Sequence, residues 1–203
     1  ASIHGKERAD SSYSQLLLTL SSLCNDSILQ ITNKGKHTSV TATGEPTEKA
    51  LILAAHQLGI LKPQLDLNNP RIYEIPFDSA RKLMTTVHKD PSGSIRSITK
   101  GAPDILMSKC THIYQNGKEV LLTENHKRFM EKQNQSMAER ALRVIAVAYK
   151  NLSSSDMINY DPSRKICSNL EFKKPLESGL TLVGLIGMID PPREEVYHAV
   201  QDA

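Results

Sequence analysis

"KLMTTVHKDPSGSIRSITKGAPDIL", residues 82–106, decides how the middle of this chain folds. Two strand-like runs, 82–89 and 94–99, flank Asp90-Pro91-Ser92-Gly93, which has Asp, Pro and Gly at the favoured places of a type I turn. With Gly93 in the left-handed region as a G1 bulge, the loop has three residues and Asp90 pairs with Ser94. Lys100 then stands opposite Met84, and Lys82 falls on the same face two residues along. A two-residue loop would put the lysines on opposite faces, because side chains alternate along a strand. Gly93 favours the first register, which gathers Lys82, Met84, Thr86, Arg96, Ile98 and Lys100 on one face. Two converging cations beside apolar surface suit a nucleotide, phosphates by charge and base by contact. A solvated face with ordinary lysines also fits the spacing, and exposed lysines are the commoner case.

The flanking segments supply helices. "SSYSQLLLTLSSLCND" (11–26) places apolar residues on a helical face, with Ser11 or Ser12 as N-cap. Residues 27–44 read as irregular and exposed, with some strand content and a turn at Asn33 to Gly35. "GEPTEKALILAAHQLGI" (44–60) is the clearest helix: Pro46 suits its first turn, and Glu48 its positive end. Ala50, Leu51, Ala54, Ala55 and Leu58 form the expected buried face, and Gly59 the stop. Residues 61–78 read as loop passing into a strand near Arg71 to Ile75. Residues 123–141 form a helix capped by Thr123, with Phe129, Met130, Met137 and Ala141 inward. Residues 142–150 form a strand, and 151–179 a mostly polar excursion.

"LTLVGLIGMI" (180–189) is apolar on both alternating faces, as in a buried parallel strand, and is too short to span a bilayer. "DPPREEV" follows, with Asp190 as N-cap and prolines in the first turn. Such a strand needs neighbours, and no βαβ companions are evident. It is therefore expected to open a second, α/β domain of which only the start is present.

Composition narrows the function. The chain has 203 residues, 39% hydrophobic and 23% charged, as in a globular protein. Without Trp, and with three Phe and six Tyr, an aromatic platform for several bases is not expected. A net charge of +3 suits an anionic ligand and falls short of a nucleic-acid footprint. Cys24, Cys110 and Cys167 lack metal-site spacing and read as reduced thiols. No charged-then-apolar leader pattern opens the chain. G-x-x-x-x-G-K-[ST], G-x-G-x-x-G and G-x-S-x-G are absent, and the seven His have no zincin spacing. Nothing in the sequence splits a phosphate by itself.

Three further residues draw notice. Phe77, in "EIPFDSARK", sits in a polar neighbourhood; a lone Phe is usually core, and the alternative is a ring face on which one adenine stacks. Arg143 heads an apolar strand, either as an edge charge or as a planar fork for a phosphate. Glu48 either complements the helix dipole or accepts from an exocyclic amine.

Taken in order, "CND" (24–26), "GEPTEKAL" (44–51), "FDSARKLM" (77–84), "KGAPDIL" (100–106), "LRVIAVAY" (142–149) and "GLIGMIDPPR" (184–193) resemble the nucleotide-binding (N) domain of a P-type cation-transporting ATPase. The likeness covers roughly residues 15–203 and is strongest to the type II pumps, calcium pumps above all. It implies an α+β fold, a twisted, mainly antiparallel sheet flanked by helices. Residues 1–12 would be a loose end, 13–178 the nucleotide-binding domain, and 179–203 the hinge and first strand and helix of the phosphorylation domain.

The resemblance also implies roles. Phe77 matches the aromatic that stacks on adenine, Lys82 and Lys100 the pocket lysines, and Arg143 the arginine that reaches the phosphates. Glu48, beside Thr47, matches the acid near the adenine amino group; Met84 adds apolar surface. Gly101 and Ala102 read as small residues that let a ligand approach the backbone. Asp190, Pro191, Pro192 and Arg193 match the hinge. ATP, as MgATP, is the implied ligand, with magnesium held by another domain and no metal site expected here. The parent would be an ATP-driven cation translocase, and this chain a monomeric cytoplasmic domain of it, soluble by itself, that meets the phosphorylation and actuator domains and no nucleic acid. Two departures stand out. Asp104 replaces the family's usual glutamate, and Ser79 stands where calcium pumps often carry arginine. The Asp-Lys-Thr-Gly segment with the phosphorylated aspartate is absent, so this chain is not expected to hydrolyse ATP. The alternative is a non-catalytic module binding an acidic partner or nucleic acid through the basic hairpin face.

Overall fold

The computed structural model describes residues 11–34, 37–153, 156 and 174–189. The hairpin forms as its loop chemistry predicts. β4 (Leu83–Lys89) and β5 (Ile95–Gly101) pair with Met84 opposite Lys100 and Thr86 opposite Ile98. Gly93 has φ +90°, the Asp90 amide donates to the Ser94 carbonyl at 2.9 Å, and Asp90 Oδ1 accepts from the Ser94 amide. Lys82 departs from the prediction. It lies ahead of β4 with φ +53°, so strand alternation does not set its direction.

Around this hairpin a seven-stranded sheet runs in the order β3-β4-β5-β8-β9-β6-β7, the remaining strands being β3 (Arg71–Asp78), β6 (Cys110–Gln115), β7 (Lys118–Leu121), β8 (Leu142–Leu152) and β9 (Leu180–Ile189). Every pairing is antiparallel except β6 with β9, which agrees with the expected mainly antiparallel α+β fold. The strand expected to open a second domain is therefore β9, inside this sheet. Its two apolar faces have a local cause: it sits between β8 and β6 with cover on both sides. A separate hairpin, β1 (Ile28–Lys34) with β2 (His37–Thr43), forms where an irregular stretch with some strand content was expected, so the strands are more regular than predicted. The β6–β7 hairpin went unpredicted, although Asn116 (φ +52°) and Gly117 (φ +79°) form its tight turn.

The helices divide the core. α1 (Ser11–Leu23) lays Leu17, Leu20 and Leu23, with Cys24, over Met84, Ile98, Val147 and Val183. Ser11 and Ser12, the two positions expected to cap it, are both helical among the described residues. On the opposite face α4 (Pro103–Ser108) packs Leu106 and Met107 on Leu83, Ala146, Ala148, Leu180 and Leu182. α2 (Pro46–Gln57) buries Leu51, Ile52 and Ala55, whereas Leu58 is exposed, so the buried face is rotated from the predicted one. Gly59, φ +78°, ends it: its amide donates to His56 and that of Ile60 to Ala55. α3 (Lys62–Asn68), read as loop, starts with Pro63 in its first turn. α5 (Glu124–Glu139) has the expected Thr123 cap, whose Oγ1 accepts from the His126 amide. Phe129 on α5 is exposed, contrary to its expected inward place.

Candidate functional site

Antiparallel pairing brings four predicted segments to one end of the sheet. The end of β3 meets the start of β4 at Asp78 and Leu83; Leu83 pairs with Gly101 at the end of β5, and Gly101 with Ala146 near the start of β8. Phe77, Lys82, Lys100, Gly101 and Arg143 therefore share that end. The first turn of α2 docks onto it through two bonds. Lys100 Nζ donates to Glu48 Oε1 at 2.5 Å, and Arg143 Nη1 donates to Thr47 Oγ1 at 2.9 Å.

The site has a covered part and an open part. Lys100 is 8% exposed and Met84 2%, so their face is packed under α1 and α2, and a solvated sheet face is excluded. Met84 is core, and its carbonyl accepts from the Cys24 thiol at 3.6 Å. Burial pushes that thiol's pKa up, so Cys24 serves as a protonated donor and not as a thiolate. Phe77 is 62% exposed, which removes the reading of it as core; Lys82 and Arg143 are also exposed. A Cβ on Gly101 would run into the Lys82 carbonyl and come within 2.8 Å of Leu83 Cδ2. The strand crossing thus supplies its own reason for that glycine, beside any ligand. Ala102 precedes Pro103 as the N-cap of α4, and its amide donates to the same Lys82 carbonyl at 3.1 Å.

The Cys24-Asn25-Asp26 segment supports Glu48. Glu48 Oε2 accepts from the Asp26 amide at 3.0 Å, and the Glu48 carbonyl accepts from Asn25 Nδ2 at 3.0 Å. Arg71 holds that segment from β3, donating to Asp26 Oδ1 at 2.6 Å, to the Asn25 carbonyl at 2.8 Å and to Glu74 Oε2 at 2.9 Å. The sequence signals these roles only through the short motif at 24–26. Among the described residues no three His, Cys, Asp or Glu side chains gather as a metal ion would require. The arrangement sets an exposed ring and exposed cations at the same sheet end as a carboxylate fixed by two bonds.

A family model described as "P-type ATPase, cytoplasmic domain N" matches residues 14–195. The chain belongs to that N-domain family. It is 39% identical over 188 residues to "Calcium-transporting ATPase 1" of Bacillus cereus, covering 93% of this chain and 19% of that protein. The protein of the same name from Lactococcus lactis is 36% identical over 189 residues, covering 93% and 19%. "Sodium/potassium exporting P-type ATPase cta3" of Schizosaccharomyces pombe is 32% identical over 185 residues, covering 91% and 16%. The N domain thus spans about a fifth of the length of the curated relatives it matches. The expected hinge, Asp190 to Arg193, lies outside the described residues, and no described helix is long and apolar enough to cross a membrane.

Proposed function

We propose that this N domain binds ATP and presents it to an aspartate on a neighbouring domain of an ATP-driven cation translocase. Calcium is the proposed cation, following the printed names of the bacterial relatives. The observation that carries the reading is Phe77: a largely exposed ring at the end of β3, on the same sheet end as exposed Lys82 and Arg143 and the held Glu48. Phe77 offers its face to adenine, a contact worth about 1–3 kcal/mol. Glu48 is anchored by Lys100 and the Asp26 amide and keeps lone pairs for an exocyclic amine. Lys82 and Arg143 hold phosphate oxygens, Arg143 by its planar fork. When bound, MgATP supplies the transferable phosphoryl group and its own magnesium, whose protein ligands are assigned to another domain. The chain's part is positioning, with Asp190 to Arg193 as the proposed hinge.

The test is a titration of the 203-residue chain with ATP, ADP and GTP, followed by backbone NMR. Saturable shifts at Phe77, Lys82 and Lys100, stronger for the adenine nucleotides, are expected. No shifts at millimolar ATP, together with salt-sensitive oligonucleotide binding, would replace this reading with an interaction module.

A further inference from the structure

The turn between β3 and β4 runs from Phe77 at the end of β3 to Lys82, and apart from the Ala102 amide on the Lys82 carbonyl its backbone is held by short-range bonds. Asp78 Oδ1 accepts from the amides of Ala80 at 3.0 Å and Arg81 at 2.8 Å, and the Lys82 amide donates to the Asp78 carbonyl at 2.6 Å. Arg81 adds a bond of another kind. Its Nη2 donates to the Pro76 carbonyl at 2.7 Å, immediately before Phe77, while its Nη1 donates to Glu177 Oε1.

Glu177 is 5% exposed, and the same Oε1 accepts from Thr85 Oγ1 at 2.6 Å, which lies 3.0 Å from Thr99 Oγ1. The segment around it is fixed to four strands, β3, β4, β5 and β8. Leu176 is fully buried against Tyr73, Ile75 and Val87. The Leu176 carbonyl accepts from Ser97 Oγ at 3.1 Å, and the Pro175 carbonyl from Lys150 Nζ at 3.0 Å. Thr85 and Thr99 pair on the face opposite Met84 and Lys100. A rigid carboxylate behind the sheet therefore reaches, through one guanidinium, to the carbonyl beside the exposed ring.

We infer that Glu177, acting through Arg81, positions the Phe77–Lys82 turn for nucleotide, an inference that rests on the ATP reading above. A planar fork with two anchors fixes the carbonyl it holds, whereas with one anchor it swings. Phe77, mostly exposed, has little packing of its own to keep its ring in place. A useful binding group must be held within about 0.5 Å and 10–20° by its supporting shell. Glu177 touches no ligand in this arrangement; it is a positioning residue.

The test compares the wild-type chain with Glu177→Gln and Arg81→Lys. The glutamine keeps size and an acceptor but loses the charge; the lysine keeps the charge but cannot reach both anchors. At a temperature well below the thermal midpoint, each variant is expected to weaken ATP and adenosine by the same factor, about tenfold. The double variant should be no weaker than either single one. In the free protein the Phe77 and Lys82 amides should shift while those of Glu48 and Lys100 stay, a pattern that general loosening would not give. Wild-type affinity in either folded variant overturns the inference. If Glu177→Gln does not fold, Arg81→Lys, at the edge of the turn, decides alone. A wild-type chain without saturable binding overturns the ATP reading and this inference with it; wild-type binding with unchanged variants overturns this inference alone.

Discussion

Phe77→Ala separates binding from folding because the ring is so little covered. Complete burial of a phenylalanine contributes about 1.5–3 kcal/mol. At 62% exposure a little over a third of the residue is covered, so truncation removes roughly 1 kcal/mol of stability. For a chain of this size that lowers the thermal midpoint by about 2–4 °C. Loss of a base-stacking partner costs about 1–3 kcal/mol of affinity, which is about 5- to 150-fold in Kd. The two effects are read in separate experiments: a thermal melt, and an ATP titration at 25 °C where both proteins are folded. The expected outcome is a nearly native melt with clearly weaker ATP binding. A melt lowered by several kcal/mol, or an unchanged ATP titration, would refute the assignment of Phe77 as the stacking ring.

Three other perturbations follow from the same geometry. Lys100→Met leaves Glu48 covered and without its cation, so a loss of about 3 kcal/mol is expected in urea unfolding, and the double variant Lys100→Met/Glu48→Gln should lose less than the single one; additive losses would contradict the pairing. Gly101→Ala puts a methyl group against the Lys82 carbonyl and should cost about 2 kcal/mol or more, again by urea unfolding. His88 is 3% exposed between the Asn69 carbonyl and Thr86 Oγ1, and burial pushes its pKa down to about 4. The unfolded chain therefore binds the extra proton between about pH 6.5 and 4: stability from this group is complete above about 6.5 and falls by about 3 kcal/mol as pH drops to 4. Urea midpoints across that range should flatten in His88→Gln, and an equal pH slope in both proteins would remove His88 as the cause.

What was legible in the sequence was what local chemistry decides. Asp90 to Gly93 set the loop, the loop set the register, and the register placed Lys100 opposite Met84. Thr123 and Gly59 marked helix ends for the same reason. Lys82 was misplaced because a lysine at positive φ is uncommon, and the strand pattern gives no sign that alternation stops one residue later. β9 was misassigned because burial on both faces marks any central strand covered by helices, not only a parallel one in a separate domain. Glu177 was invisible for a different cause: Arg81 meets it across 96 residues of sequence, and although Arg81 lies in the 77–84 motif, nothing around Glu177 marks it as the partner.

The contacts within the site also set what a ligand must do on arrival. Lys100 and Glu48 hold each other, and Arg143 holds Thr47, so any bond these groups make to a phosphate or an amine is in part an exchange. An exchanged hydrogen bond contributes only the small difference between the old partner and the new one. Phe77 stands apart: its ring is solvated, and covering it removes apolar surface from water without breaking a bond within the protein. Most of the net affinity should then come from the base, and the cations should govern orientation of the phosphates more than strength. For a domain whose proposed work is to carry a nucleotide to an aspartate elsewhere, that division has a physical advantage. On that proposal, a phosphate held in part by partners that exchange would be handed over without a large barrier, the base remaining on Phe77.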